Sequence, residues 1–190
     1  MKFNLFNIKS KGFVSKEHYD YIELIQNDSF PKEFVEVGRY NPNDTLNFNR
    51  GHYEYNILDN DGKPVLSEWV NGITTSDENY LVLWYRNGNE DTRWNLLDMN
   101  TLELVSDETF ANSGGHFAFK LVKNGKINFI SSVLEPKLLL PKWADSMEGN
   151  FEPPDNDSAV VVRIDNEPYT LFNYVGEDNP IIQGNILYRE

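Results

Sequence analysis

Histidine is the residue type through which a chain without cysteine most readily binds a metal or moves a proton. The chain has no cysteine, which excludes disulfides and thiolate metal sites, and it has three histidines, His18, His52 and His116. They lie far apart in sequence and share no spacing typical of a metal site or a zinc protease. His116 follows Ser113-Gly114-Gly115, which predicts a turn between strands and not a nucleophile elbow. We therefore expect no enzymatic activity.

Two acidic clusters, Asp59-Asn60-Asp61-Gly62 and Asp155-Asn156-Asp157, raise the question of calcium binding. A calcium loop needs acidic ligands at alternating positions, a glycine at the sixth position and a glutamate at the twelfth. Counting back from Gly62 places the apolar Ile57 first, and the second cluster has no glycine or glutamate in register. Both clusters predict solvated turns, so we expect no metal and no other cofactor. The 30 acidic residues offer so many carboxylate pairs that a glycosidase-like pair carries no information.

The formal net charge is −13 at pH 7. Phosphate backbones and anionic membrane surfaces repel such a chain, and its longest basic cluster, Lys9, Lys11 and Lys16, is followed directly by Glu17. We expect no nucleic acid and no membrane as partner; a basic protein or a neutral ligand suits the charge, which also maintains solubility. Asparagines break the apolar run at residues 1–7, so no signal peptide is predicted, and we expect a cytoplasmic protein.

One four-residue pattern recurs along the chain: a large apolar residue, Asn, and two apolar residues. Repetition of this kind is typical of arrays of one small structural unit. A fifth copy has Thr in place of Asn. The copies are Phe3-Asn4-Leu5-Phe6, Tyr55-Asn56-Ile57-Leu58, Trp94-Asn95-Leu96-Leu97, Ile127-Asn128-Phe129-Ile130 and Tyr169-Thr170-Leu171-Phe172.

Two further elements recur in the same order after the tetrapeptide. The first is a polar turn followed by an acidic-aromatic stretch, in which Trp69, Phe110 and Trp143 align at one position. The second is a β-rich run that ends in a turn, as at residues 81–88 and 117–125. Three elements in constant order predict about five units, at residues 1–52, 53–92, 93–125, 126–167 and 168–190.

The chain resembles the WG-repeat (KWG-repeat) family. Arg93-Trp94-Asn95-Leu96-Leu97-Asp98 is similar to the opening of that repeat, Glu68-Trp69-Val70-Asn71 to its second part, and Val122-Lys123-Asn124-Gly125-Lys126 to its closing turn. Asn stands where the family usually has Gly. The resemblance implies a non-enzymatic repeat array without catalytic residues, of a kind common in gut bacteria and their phages. It also implies that the protein acts in a host cytoplasm or in a virion if a phage encodes it.

Each unit predicts about three short strands, because β-branched and aromatic residues cluster in runs of four to seven punctuated by Gly, Asn and Asp. The best helical candidate is residues 17–26. A unit of this size cannot bury its apolar face alone, so neighbours must stack. We expect an all-β domain of stacked antiparallel hairpins in an open, solenoid-like array, with a closed, propeller-like arrangement as the alternative.

The repeated asparagines have two interpretations. In stacked units their amides would bond to one another or cap nearby backbone groups, and the positions Asn4, Asn56, Asn95 and Asn128 would belong to the repeat core. Otherwise they reflect a composition that is rich in asparagine throughout.

Aromatic side chains are the remaining candidates for binding. Trp84 and Tyr85 are adjacent on a predicted strand and should point to opposite faces, which would expose one of them. Tyr40, Phe48 and Tyr53 lie in or beside an Asn-rich insertion, a typical place for a functional loop. Trp69, Phe110 and Trp143 are assigned to the repeat core. We expect a protein-binding or scaffold module, with a carbohydrate-binding or adhesion module that uses exposed aromatics as the alternative.

Overall fold

The computed structural model describes residues 2–7, 11–26, 30–31, 33–42, 52–76, 79–86, 92–111, 119–130, 132–133, 136–148 and 159–172. These residues form fifteen strands and no helix, which confirms the expected all-β class. The strands are β1 (Phe6–Asn7), β2 (Gly12–Phe13), β3 (Tyr21–Ile25), β4 (Phe34–Tyr40), β5 (Tyr53–Leu58), β6 (Gly72–Thr75), β7 (Tyr80–Tyr85), β8 (Arg93–Asp98), β9 (Glu103–Leu104), β10 (Phe110–Ala111), β11 (Phe119–Lys123), β12 (Lys126–Ile130), β13 (Ser146–Glu148), β14 (Ala159–Ile164) and β15 (Glu167–Phe172).

The strands assemble into five small antiparallel sheets, and within the described ranges none of them closes into a barrel. In chain order the sheets are β1-β2, β3-β4-β5, β6-β7-β8 with β9 and β10 on the far edge of β8, β11-β12, and β13-β14-β15. Every sheet after the first joins two of the units defined from the sequence. For example, β4 belongs to residues 1–52 and pairs with β5 of residues 53–92.

The helical candidate at residues 17–26 is wrong. Residues 21–25 form β3, which pairs along its whole length with β4. Tyr19, just before this strand, is buried and bridges to Phe3. Tyr and Ile fit a pleated surface well, and pairing with a neighbouring strand outweighs the short apolar face that a helix would offer.

Each recurring tetrapeptide lies on a strand segment, which we call the asparagine strand. On one side the second to fifth copies pair with the preceding strand of the chain, in a constant register. The pairs are Val37 with Asn56, Leu83 with Asn95, Leu121 with Asn128 and Val161 with Thr170. On its other side the asparagine strand has a return segment of its own unit, whose N–H donates to the residue after the asparagine. These bonds run from Val14 to Leu5, Val65 to Ile57, Val105 to Leu96 and Leu139 to Phe129, each 2.8 Å long.

The two apolar residues after each asparagine point to opposite sides of the strand, because side chains alternate along a strand. The first belongs to the core cluster shared with the next unit: Ile57 packs with Leu97, Leu96 with Ile130, and the cluster of Phe129 packs with Tyr169. The second belongs to the cluster shared with the preceding unit. The core is therefore a series of apolar layers, one between each pair of neighbouring units.

Packing follows the order of the chain. Among the described strands, contacts join the second to the third sheet, the third to the fourth and the fourth to the fifth, and none joins the first sheet to the last. The turn of the second unit packs directly on the first: a Cβ at Gly62 would lie 2.5 Å from the backbone oxygen of Val14. This arrangement agrees with an open array.

The sequence also places two of the turns correctly. Gly62 and Gly125 have φ of 75° and 72°, and Asn124 before Gly125 has φ of 53°. Lys123 pairs with Lys126 across the second turn, so a two-residue loop with both φ values positive joins β11 to β12. The predicted turns at Asn87-Gly88 and Val175-Gly176 lie outside the described residues.

Candidate interaction surface

The repeated asparagines form the same clasp four times. In each case Oδ1 accepts the N–H of the next residue, at 2.7–2.8 Å. Nδ2 donates to a carbonyl ten to twelve residues further on in the return segment. These bonds are Asn4 to Ser15 (2.9 Å), Asn56 to Leu66 (3.1 Å), Asn95 to Ser106 (2.8 Å) and Asn128 to Leu140 (3.2 Å). Of the two interpretations of these residues, backbone capping within each unit is the one observed.

A second clasp joins two segments of the same unit, at the end of β4, β7 and β14. The side chains of Asp20, Asn71 and Asp145 accept the N–H groups of Tyr40 (2.9 Å), Arg86 (2.7 Å) and Asp165 (3.1 Å). Both aspartates also bind a lysine placed two residues before a clasp asparagine: Lys2 with Asp20 at 2.6 Å, and Lys126 with Asp145 at 2.9 Å. These lysine hydrogen bonds, and then the backbone N–H bonds, lower the pKa of both carboxyls.

One small cavity, of about 130 Å³, lies between the second and third units. Its lining is mostly aliphatic, with Glu68, Ser67 and the Tyr85 ring as polar members. Burial, and then the negative charge of Glu68, raises the pKa of Tyr85 to about 12, so this phenol is neutral at physiological pH and is not a base. Within the described ranges, no three His, Asp or Glu side chains are placed to hold a metal ion together.

Two of the predicted binding residues, Tyr40 and Tyr53, face each other across β4 and β5 with ring centroids 6.0 Å apart. Tyr40 is 53% exposed. Tyr53 packs against the core layer between the second and third units and contacts Tyr55. Phe48 lies outside the described residues. The part of the insertion that is described therefore presents one exposed ring.

The other predicted pair, Trp84 and Tyr85, does point to opposite faces. Tyr85 packs against the core layer between the second and third units, whereas Trp84 is 38% exposed. The Trp84 ring lies 5.0 Å from that of Trp94 on β8 and covers Gly72 on β6, where a Cβ would be 3.5 Å from it. Trp94 Nε1 is buried and has no hydrogen-bond partner among the described residues.

The residues assigned to the repeat core occupy two positions and not one. Trp69 and Trp143 are half-buried against core layers, and the Arg39 guanidinium lies 4.1 Å above the Trp69 ring. Phe110 is buried and pairs with Trp94, as Val70 bridges to Tyr55. In the strand register Phe110 thus corresponds to Val70, one position after Trp69.

The most exposed large apolar side chains lie on the first sheet, a feature that sequence reasoning missed. Phe6 is 54% and Phe13 70% exposed, and their rings meet edge to face at 5.6 Å. The register of the tetrapeptides makes Phe6 equivalent to Leu58, Leu97 and Ile130, each of which is at most 1% exposed. Leu58, Leu97 and Ile130 are each buried in a cluster with residues of the preceding unit, whereas Phe6 belongs to none of these clusters.

The backbone of the same segment is also unpaired on one side. Phe3 and Leu5 bond to Tyr19 and Val14, on the side of the return segment. Because bonds alternate along a strand, the backbone groups of Lys2, Asn4 and Phe6 point the other way, and no described residue bonds to them. We call these groups, with the side chains of Phe6 and Phe13, the open edge.

The charge around the open edge differs from that of the whole chain. Residues 1–16 contain four lysines and no acidic residue, so all 30 acidic residues lie further along the chain. Lys11 and Lys16 are exposed. Lys2 is paired with Asp20, so the exposed Lys11 and Lys16 are the described lysines that give the return segment beside the Phe6 and Phe13 rings its positive charge.

Comparison with known proteins gives no relative: no family model, no curated protein and no solved structure matches the chain. The described part of the chain contains no helix long and apolar enough to cross a membrane.

Proposed function

We propose that the chain is a non-enzymatic protein-binding or scaffold module. The observation that carries this proposal is the open edge, where apolar side chains and unpaired backbone groups occur together. Monomeric proteins usually cover or charge such an edge, since it readily pairs with another chain. A surface of this kind is suited to a protein partner.

The roles of the polar side chains support a non-enzymatic function. The buried clasp asparagines bind the backbone and the lysines bind the aspartates, and these contacts hold the segments of each unit together. The phenol with the strongly raised pKa, Tyr85, lines the small cavity between the second and third units and stays protonated at physiological pH. Catalysis would need an acid, a base or a nucleophile directed into a cleft.

The setting we propose follows from the sequence. The resemblance to WG-repeat proteins suits a cytoplasmic interaction protein of a bacterium, or a phage protein that acts in the host or in a virion. The acidic balance beyond residue 16 suits a basic protein surface along the rest of the array. Nucleic acid and membranes are not proposed as partners, because they would meet this same charge.

Carbohydrate binding remains the second candidate, and the exposed Trp84 ring favours it. Sugar sites combine such a ring with polar groups that are free to bind hydroxyls. Beside Trp84, however, Asn71 Oδ1 already accepts the Arg86 N–H at 2.7 Å, and the Arg93 guanidinium binds Thr109. The protein-binding function is therefore the better supported of the two.

The test is affinity capture by the immobilised chain from a lysate of the cells that produce it, with identification of the retained proteins. We expect a protein retained by the wild type to be lost from the double variant Phe6→Lys/Phe13→Lys. Leu138→Lys is the matched control, since Leu138 is 46% exposed and pairs with Ile130 as Phe13 pairs with Phe6. Binding of glycans that depends on Trp84, with no protein retained, would contradict the proposal.

A further inference from the structure

Four asparagine strands carry a partner strand on one side, which for β5, β8 and β12 is the side away from their return segment. β4, β7, β11 and β14 pair there with β5, β8, β12 and β15. These partners alternate their side chains between the layers on their two sides: Leu81 and Leu83 enter one layer and Val82 the next. The molecule thus contains four examples of one mode of strand docking.

The corresponding position beside Phe3–Asn7 holds no strand among the described residues. By equivalence with β5, an occupant would pair with Phe6 as Val35 pairs with Leu58, and with Asn4 as Val37 pairs with Asn56. It would satisfy the backbone groups of the open edge and cover the exposed Phe6 ring. The internal strands β4, β7, β11 and β14 do the same elsewhere: they pair with the backbone of the asparagine strand and cover its apolar side chains.

We propose that the open edge binds an extended segment of another protein by β-strand addition, and that this segment alternates apolar with acidic residues. The proposal rests on the proposed protein-binding function and names the chemistry of its partner. Main-chain hydrogen bonds give such docking its affinity, and alternate side chains give it specificity. The apolar residues cover the Phe6 side, and the acidic residues complement the positive charge of the exposed Lys11 and Lys16.

Charge selects this partner over a second copy of the chain. Two open edges brought together would bring Lys11 and Lys16 of one copy near the same lysines of the other, since only Lys2 is paired, with Asp20. Like charges directly opposite across a strand pair destabilise it. An acidic strand converts the same lysines into favourable contacts.

The probe is a labelled peptide that copies residues 33–41 of the chain. This segment contains β4, which docks on β5 in the way proposed for the partner and carries Glu36 between Val35 and Val37. Fluorescence anisotropy with the full chain measures its binding. We expect N-methylation at Val37, whose N–H faces the docked edge, to weaken binding about tenfold, as loss of one hydrogen bond implies. N-methylation at Glu36, whose N–H faces away, is the matched control and should change binding less than about twofold.

Two further variants test the surface and the charge. Phe6→Lys/Phe13→Lys should abolish binding of the peptide, whereas Leu138→Lys should preserve it. A peptide in which Lys replaces both glutamates should bind more weakly, and the difference should shrink as salt is added. Circular dichroism of each chain variant checks that it is folded.

Several results would overturn the inference: no binding of the peptide, equal effects of the two N-methyl groups, or full binding to the Phe6→Lys/Phe13→Lys chain. Sedimentation showing a dimer that this double variant dissociates would make a second copy the occupant, and would also overturn it. If the peptide fails but the captured protein still depends on Phe6 and Phe13, the protein-binding function stands and only strand addition is lost. If the peptide binds as expected but no protein is captured, strand addition at the open edge stands and the proposed protein-binding function is lost.

Discussion

Asparagine is depleted in strands because its amide competes for nearby backbone groups, and here that competition is what organises the fold. In each clasp one side chain binds the N–H of the next residue and a carbonyl of the return segment. The resemblance to WG repeats would place Gly at this position. A glycine has no amide to bind both segments, so the asparagine makes a connection that the family residue cannot make.

Asn95→Leu tests the clasp. Asn95 is buried, and the substitution would leave the Leu96 N–H and the Ser106 carbonyl without their partner. We expect a loss of about 2–4 kcal/mol in the free energy of unfolding, measured with urea, because each unsatisfied buried group costs about 1–3 kcal/mol. Asn100→Leu, in an exposed turn, serves as the control. If both variants were equally stable, the asparagines would have no structural role.

Asp145 gives a prediction for pH. Its carboxyl has a lowered pKa, first because of the Lys126 hydrogen bond and then because of the Asp165 N–H. A carboxyl whose pKa is lower in the folded state than in the unfolded state stabilises the fold above its ordinary pKa, near 4, and loses that contribution as pH falls further. Asp145→Asn should therefore be less stable than wild type at pH 6, and this difference should shrink below pH 4.

The same measurement on Lys126→Met separates the two causes. Removal of the lysine should raise the pKa of Asp145 towards its ordinary value, so the acid limb of the stability curve should begin at a higher pH than in the wild type. A stability difference between wild type and Asp145→Asn that stays constant from pH 6 to pH 2 would contradict this account.

At the scale of elements, the two glycines with positive φ among the described residues differ in what surrounds them. A Cβ at Gly62 would collide with the backbone of Val14, whereas a Cβ at Gly125 would meet nothing within 4 Å. Both positions disfavour alanine by about 1–2 kcal/mol because of the left-handed backbone. Gly62→Ala should lose clearly more stability than Gly125→Ala in denaturant unfolding, since only Gly62 packs on the neighbouring unit. Equal losses would mean that the first two units do not pack there.

The strands and their turns were predictable from composition and from Asn-Gly and Asp-Gly signals, but their alignment was less so. The clasp spans ten residues from Asn56, eleven from Asn95 and twelve from Asn128. Because the return segments differ in length, the residues after them are out of register between units when the sequences are aligned. Phe110 therefore aligns with Trp69 in sequence but corresponds to Val70 in the structure. Similarly, β3 has enough apolar residues for a helical face, and only its pairing with β4 excludes one.

At the scale of the molecule, stacking in chain order was predictable from the repeat, whereas the open edge was not recognised. Tyr40, Phe48, Tyr53, Trp84 and Tyr85 were chosen as aromatic residues near an insertion or on a strand. Exposure depends instead on which neighbour covers a position. Phe6 has the same residue type as buried core positions, and it is exposed because of its place in the array.

Layered packing predicts that damage stays local. Phe129 is fully buried in the layer shared by the fourth and fifth units, so Phe129→Ala should cost about 3–5 kcal/mol in that layer. Because units contact only their neighbours, native-state hydrogen exchange should speed up in β12 and β14 and stay unchanged in β3 and β4. Uniformly faster exchange along the whole chain would show instead that the array unfolds as a single unit.

Each asparagine clasp closes within its own unit, whereas the strand pairs on the other side of it connect one unit to the next. A load applied to the two ends of the chain would therefore act first on the connections at a terminal layer. The terminal unit would separate at that layer and its chain would extend, while the asparagine clasps of the inner units stayed closed. Such a protein would extend one layer at a time under tension and would refold onto the layers that remained intact. A protein with a single closed core does not have this mechanical property.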